Sequence, residues 1–273
     1  MWKPEDGTQN ELTGFDASLK PNNLSMRKRR EVRMNTDSPF EDETPCEALD
    51  TAKKILVELE SLRESKVDPL DLGYRSKVPF KAMVLAQSLL WRSSELGRGA
   101  LQAASIDSAL SVFILVRSIM ETSALMSKLA DCTDKATSKK SIKEIDEPIM
   151  RILMSNRSGF GDGIYSATNI LTVIDKINER MPGVRNRYDD LSEVAHPNWQ
   201  GTLGLFSSAN SESVLSQFGR YIGADQHIFH QSYRDIGMGL THFLLEFSRF
   251  IDCFESFGEK CESFMNVQEG EGS

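Results

Sequence analysis

Cysteine and histidine are scarce in this chain, four of each in 273 residues, and that scarcity narrows the chemistry available to it. Cys46, Cys132, Cys253 and Cys261 lie far apart except for the last pair, and none has the close spacing of a zinc knuckle or a redox motif. Cys253 and Cys261 are eight residues apart on one expected helix, too far for a disulfide, so reduced thiols and a cytoplasmic location are expected. No Gly-x-Ser-x-Gly run occurs, which removes the nucleophile elbow of a serine hydrolase. One Glu-x-x-His pair, Glu193 with His196, stands alone where a di-iron bundle needs two such pairs and two further carboxylates. No metal and no cofactor are expected. No charged-then-apolar segment opens the chain, and its longest apolar stretch, Ala109 to Ala130, is interrupted by Arg117, Glu121 and Lys128. Neither secretion nor a membrane span is expected. Net positive charge is lacking too: a balance of −8 argues against a protein that coats nucleic acid, although a local basic patch stays open.

What is present is helical periodicity. A hydrophobic share of 40% over this length supports one core plus tails. Residues 1–45, rich in Asn, Asp, Glu, Ser, Thr and Pro, read as a disordered tail carrying a small basic cluster, Arg27-Lys28-Arg29-Arg30 with Arg33. Residues 46–265 read as a single helical bundle domain, and 266–273 as a flexible acidic tail. A first amphipathic helix runs from Glu47 to near Ser65 on Leu49, Ala52, Ile55, Leu56, Leu59 and Leu62. A second spans about Pro79 to Ala104, with Gly97 and Gly99 as interruptions. Ser105 reads as the N-cap of a third, Ile106 to Asp131, apolar on nearly every face and hence central. A fourth covers Ser141 to Met154. The glycine loop Asn156 to Tyr165 lacks the strand that a phosphate cradle needs and reads as a helix connection.

Thr168 or Asn169 caps a fifth helix through Ile177, ending before Pro182, and a sixth runs from Val184 to His196. An irregular loop or short hairpin follows. Then Phe229, Tyr233, Ile236, Leu240, Phe243, Phe247, Phe250, Phe254, Phe257, Cys261 and Phe264 keep a four-three alternation, the seam of one long helix. Seven of the fourteen phenylalanines lie on it. Such a helix is longer than a compact domain needs, so its far end is expected to pack on a second copy; the competing reading is that one bundle buries the stripe and Gly237 and Gly239 kink it. The fold class is therefore all-α, a multi-helix bundle closed by a long aromatic-seamed helix, and a homo-oligomer is expected.

The polar chemistry concentrates in Tyr188-Asp189-Asp190-Leu191-Ser192-Glu193-Val194-Ala195-His196-Pro197-Asn198. Val184, Tyr188, Leu191 and Ala195 share one helical face, and Asp189, Ser192 and His196 a neighbouring one. A Ser/His/Asp triad is excluded because Ser192 sits mid-helix with its amides already bonded. His227 and His230 read as a solvent-facing polar patch with Arg234. Arg117 and Glu121 stand one turn apart in the most apolar helix, where an unpaired charge is costly, so each must find a partner. They either pair with one another or meet Tyr188, Ser192 or His196 across the bundle in a polar network. That network either fixes helix packing or binds an anion and assists proton transfer.

The segment Asn169 to Lys176, followed by Tyr188-x-x-Leu191-Ser192-Glu193-x-x-His196-Pro197-Asn198-Trp199-x-Gly201, resembles a group of uncharacterised bacterial all-helical proteins. Arg117-x-x-x-Glu121 looks like their upstream motif. More distantly the arrangement is similar to HEPN-type helical domains, which often act as metal-independent ribonucleases in toxin or phage-defence systems and commonly dimerise. That pattern places an arginine four to six residues before the histidine, whereas here the nearest upstream is Arg187, nine positions before His196, leaving Arg117 to fill the role. Two functions follow as expectations. One is a non-enzymatic interaction or regulatory module built on this polar network. The other is an RNA-cleaving HEPN-like enzyme with Arg117, Glu121, Ser192 and His196 as catalytic candidates and Tyr188, Glu193, Asn198 and Trp199 as ligand-binding ones.

Overall fold

The computed structural model describes residues 44–154, 168–210, 215–224 and 226–270. The expected tail with its basic cluster, and the glycine loop at 156–165, lie outside them. Thr44 opens α1 (Pro45–Ser61) through a capping box: its hydroxyl accepts from the Glu47 amide and the Glu47 carboxylate accepts from the Thr44 amide. A short turn, α2 (Pro69–Leu72), ends on Gly73 in the left-handed region and leads to α3 (Lys77–Ser105). The chain then runs through α4 (Ala109–Asp134), a 3-10 turn (Lys135–Ser138) and α5 (Ile142–Met154). Next come α6 (Ile170–Arg180), α7 (Val184–Ala195), the short α8 (Leu203–Phe206) and an antiparallel hairpin of β1 (Ser207–Asn210) and β2 (Leu215–Phe218). The final helix, α9 (Gln226–Gly270), continues into the stretch expected to be a flexible acidic tail.

The expected junction between the second and third helices is corrected. Ser105 is the last residue of α3, not a cap, and its hydroxyl donates to the Gln102 carbonyl at 2.7 Å. The break falls at Asp107, which takes a left-handed φ of 53° without being glycine. Arg220 holds that turn by donating to the Ile106 and Asp107 carbonyls at 2.6 and 2.7 Å. Gly97 and Gly99 do not interrupt α3.

α4 is packed between α3 and α9. By length and composition it would also pass for a membrane-crossing segment, but half of that apolar window is buried inside the bundle, as in a core helix. The aromatic stripe of α9 supplies the other half of the core. Ile236, Leu240, Phe243, Phe247, Phe250, Phe254, Phe257 and Cys261 are all buried, and consecutive rings from Phe243 to Phe257 sit 5.4–6.4 Å apart. Each such side chain removed from water contributes about 1.5–3 kcal/mol. One chain therefore covers the stripe from Ile236 to Cys261, while Phe229, Tyr233 and Phe264 stay half-buried.

Gly237 and Gly239 do not stop α9, which runs unbroken through both. Gly239 serves instead as a point of close approach: a Cβ there would lie 2.9 Å from the Ile119 Cγ2 of α4. Beside it Ser123 donates to the Gly239 carbonyl at 3.2 Å. Ile119 is β-branched and fully buried, so it has little room to retreat. Gly239→Leu should cost about 1–3 kcal/mol through overpacking, read as a lower urea midpoint with an unchanged slope. An unchanged midpoint would mean that the two helices are not locked at this contact.

Candidate functional site

The turn into α7 is built by Asn178 and Gly183. The Asn178 side-chain carbonyl accepts from the amides of Gly183 at 3.0 Å and Arg185 at 3.2 Å, and Gly183 adopts φ 97°, a conformation that favours glycine. α7 then lays its apolar face on α4, with Tyr188 and Leu191 buried, Val184 and Ala195 half-buried, and Asp189, Asp190 and Glu193 exposed.

Three of the expected site residues meet here. Arg117 Nη2 lies 3.3 Å from Glu121 Oε1, one turn along α4. The Tyr188 hydroxyl donates to the same Glu121 oxygen at 2.8 Å and accepts from Arg117 Nη2 at 3.3 Å, while the guanidinium carbon stands 5.4 Å from the tyrosine ring centre. Burial raises the phenol above its ordinary pKa, Glu121 adds to that and Arg117 opposes it, so Tyr188 stays a neutral donor. The two charges are less deeply placed than an all-apolar helix implies, at 29% and 32% side-chain exposure. They are compensated within the triangle, although Arg117 Nε is buried with no hydrogen-bond partner among the described residues.

Ser192 and His196 do not join it. The Ser192 hydroxyl donates back to the Tyr188 carbonyl at 2.7 Å, a bond within its own helix. His196 is the C-cap of α7, extended at φ −82° and ψ 148° as a residue before proline prefers, and its ring is exposed with no hydrogen bond among the described residues. The remaining candidates shape the turn beyond. Asn198 donates to Glu193 at 2.6 Å and accepts from the Gly201 amide at 3.0 Å. A Cβ on Gly201 would collide with the His196 and Val194 carbonyls. Trp199 is 69% exposed. Glu193 and Asn198 thus hold a loop, while Trp199 faces solvent. His230 is also exposed, and among the described residues no three His, Cys, Asp or Glu side chains gather as a metal site would require.

A charged belt on α9 was not foreseen. Asp235, only 3% exposed, receives Arg187 Nε of α7 at 2.9 Å, a second guanidinium nitrogen and the Gln231 amide at 3.3 Å. Further along, Glu246 accepts from Arg180 at 3.2 Å and forms an ion pair with Arg249 at 2.8 Å, with the His242 ring 3.5 Å away. Arg249 also reaches Asp131 at 2.7 Å, and Arg180 reaches the Ser127 hydroxyl at 2.7 Å. The spacing of 235, 242, 246 and 249 places these groups along one side of α9, the only sequence signal they give.

Burial pushes the Asp235 carboxyl up against the pull of Arg187. Burial also pushes Glu246 up, but His242, Arg249 and Arg180 together bring it below its ordinary value of 4.5. A depressed folded-state value gives stability that is fully present above 4.5 and lost as pH falls through the folded value. Glu246→Gln should therefore cost about 3 kcal/mol at neutral pH, with the variant and wild-type curves converging as pH drops below 4.5. Urea unfolding over a pH series reads this, and curves that stay parallel into acid would show that Glu246 is not the group responsible.

Comparison with known protein families, with curated proteins and with solved structures gives no match.

Proposed function

We propose that this chain is a non-catalytic interaction module of the cytoplasm that works as a homodimer. The observation that carries this reading is the fate of the arginines near His196. Metal-independent cleavage of RNA needs a cation on the phosphate beside the general acid or base. Arg117 is closed by Glu121 and Tyr188, Arg185 by Asp175 and Asp189, and Arg187 by Asp235. None is left beside the exposed imidazole of His196, which supports the interaction reading over the HEPN-like one. The triangle on α4 then acts as a packing device that fixes α7. The free state of all four cysteines suits a reducing compartment.

The surface for interaction lies just past the motif. Trp199, Leu203, Leu215, Phe218 and Ile222 are large apolar side chains left exposed, Phe218 to 73%. A monomer rarely exposes such a group in one short region. They surround a hairpin of only two strands, whose outer edges have no strand partner among the described residues. Joining two copies about a twofold axis covers the same residues and the same edge on both.

Two measurements test the proposal. End-labelled RNA incubated in EDTA with purified protein should stay intact, and cleavage that disappears in His196→Ala would replace the module with the nuclease. Sedimentation equilibrium should give a dimer, converted by Trp199→Ser with Phe218→Ser to a folded monomer. A monomeric wild type would overturn the homodimer.

A further inference from the structure

A group of cations gathers about two turns beyond Glu121 along α4. A cavity of about 390 Å³ opens there between α4, α5 and α6. Lys128, Lys135, Lys139, Lys176 and Arg180 line it, against only Asp131 and Glu144; Arg180 is paired with Glu246, and the four lysines leave two excess positive charges in one hollow of a chain of net charge −8.

The two carboxylates are engaged elsewhere: Asp131 with Arg249 at 2.7 Å and Glu144 with the Ser141 hydroxyl at 3.3 Å. Lys135 reaches Asp131 only at 4.0 Å. Lys128 donates to the Thr168 hydroxyl at 3.1 Å, a neutral group. The Lys139 and Lys176 side chains have neither a carboxylate nor a hydrogen-bond partner among the described residues. Burial lowers the Lys128 ammonium pKa, with Arg151 and Lys176 adding repulsion, so this cation gains from any anion brought near it. Thr168, Asn169 and Thr172 place the N-terminus of α6 at the same hollow, and its dipole adds to the positive field. Ile145, Pro148 and Val173 supply an apolar wall. The volume falls within the range of about 300–1,000 Å³ typical of small-ligand sites.

We propose that this cavity binds a nucleoside di- or triphosphate, with the phosphates on Lys128, Lys139 and Lys176 and the base against Ile145, Pro148 and Val173. The assignment is independent of the interaction reading above and survives if that reading fails. Electrostatic recognition by several lysines requires that binding weaken as salt rises. The apolar wall requires that a nucleotide bind more tightly than its bare phosphates.

The test is calorimetric titration of the full chain with ADP, GTP and inorganic pyrophosphate, repeated on Lys139→Gln with Lys176→Gln and on the control Lys53→Gln, which lies on α1. Expected is micromolar binding of at least one nucleotide, weakened about tenfold or more in the double variant and unchanged in the control. Because the Lys139 and Lys176 side chains have no partner to lose among the described residues, the double variant should keep the wild-type circular dichroism. A readout on unaltered protein is alkylation of Cys132, which lines the cavity and should be slowed by the bound nucleotide at alkaline pH. Absence of binding at about 5 mM of every probe, or equal affinity in the double variant, overturns the site. Pyrophosphate binding as tightly as ADP overturns the base contact, and single-stranded RNA outcompeting every mononucleotide replaces the small ligand with a polymer.

Discussion

A helix of 45 residues with an apolar stripe along one side cannot stand alone in water, because the gain from burying that stripe is larger than any intrinsic helix preference. Covering the stripe of α9 is the constraint that the rest of the bundle answers. α4 meets it over the greatest length, α1 and α3 complete the enclosure, and the small residues Gly239 and Gly97 set how near the backbones come. Seen this way the aromatic seam is a demand for neighbours, and this single chain supplies all of them as far as Cys261.

The polar contacts come second and decide register. Apolar packing tolerates sliding, whereas a buried carboxylate with a bound guanidinium does not, since displacing one leaves the other unpaired at a cost of about 3–5 kcal/mol. Arg187 on Asp235 fixes α7 against α9, Arg180 on Glu246 fixes α6, and Arg249 on Asp131 fixes α4. The same bonds answer the charge of each of these arginines inside the bundle, which is the ground of the interaction reading proposed above.

Where a feature was legible in the sequence, its cause was local. The periodic stripe of α9, the Asn169 cap of α6 and the Arg117–Glu121 pair all depend on residues within one or two turns of each other. Tyr188 could be joined to that pair because it falls on the buried face of its own helix. Where reading failed, the cause was distant or unusual. The end of α3 rests on a left-handed Asp107 held by Arg220 from 113 residues away. His196 was expected in the network, but Pro197 carries it beyond the helix end. The belt on α9 pairs residues 48, 66 and 118 positions apart, and no periodicity in either partner announces the other.

Charge bookkeeping separates the two places where cations gather. With 40 acidic residues against 32 basic ones, a carboxylate is the commonest charged neighbour this chain can offer, and around α7 and α9 it offers one to Arg180, Arg185, Arg187 and Arg249. The hollow between α4, α5 and α6 breaks that habit. Lys128, Lys139 and Lys176 all line it, while Asp131 pairs with Arg249 and Glu144 with the Ser141 hydroxyl. Mutual repulsion among them is a standing cost, small for exposed groups and larger for the partly buried Lys128. The bundle tolerates that cost here. Such a cost is recovered when an anion enters, and this distinguishes the hollow from the triangle on Arg117, whose charges are already matched.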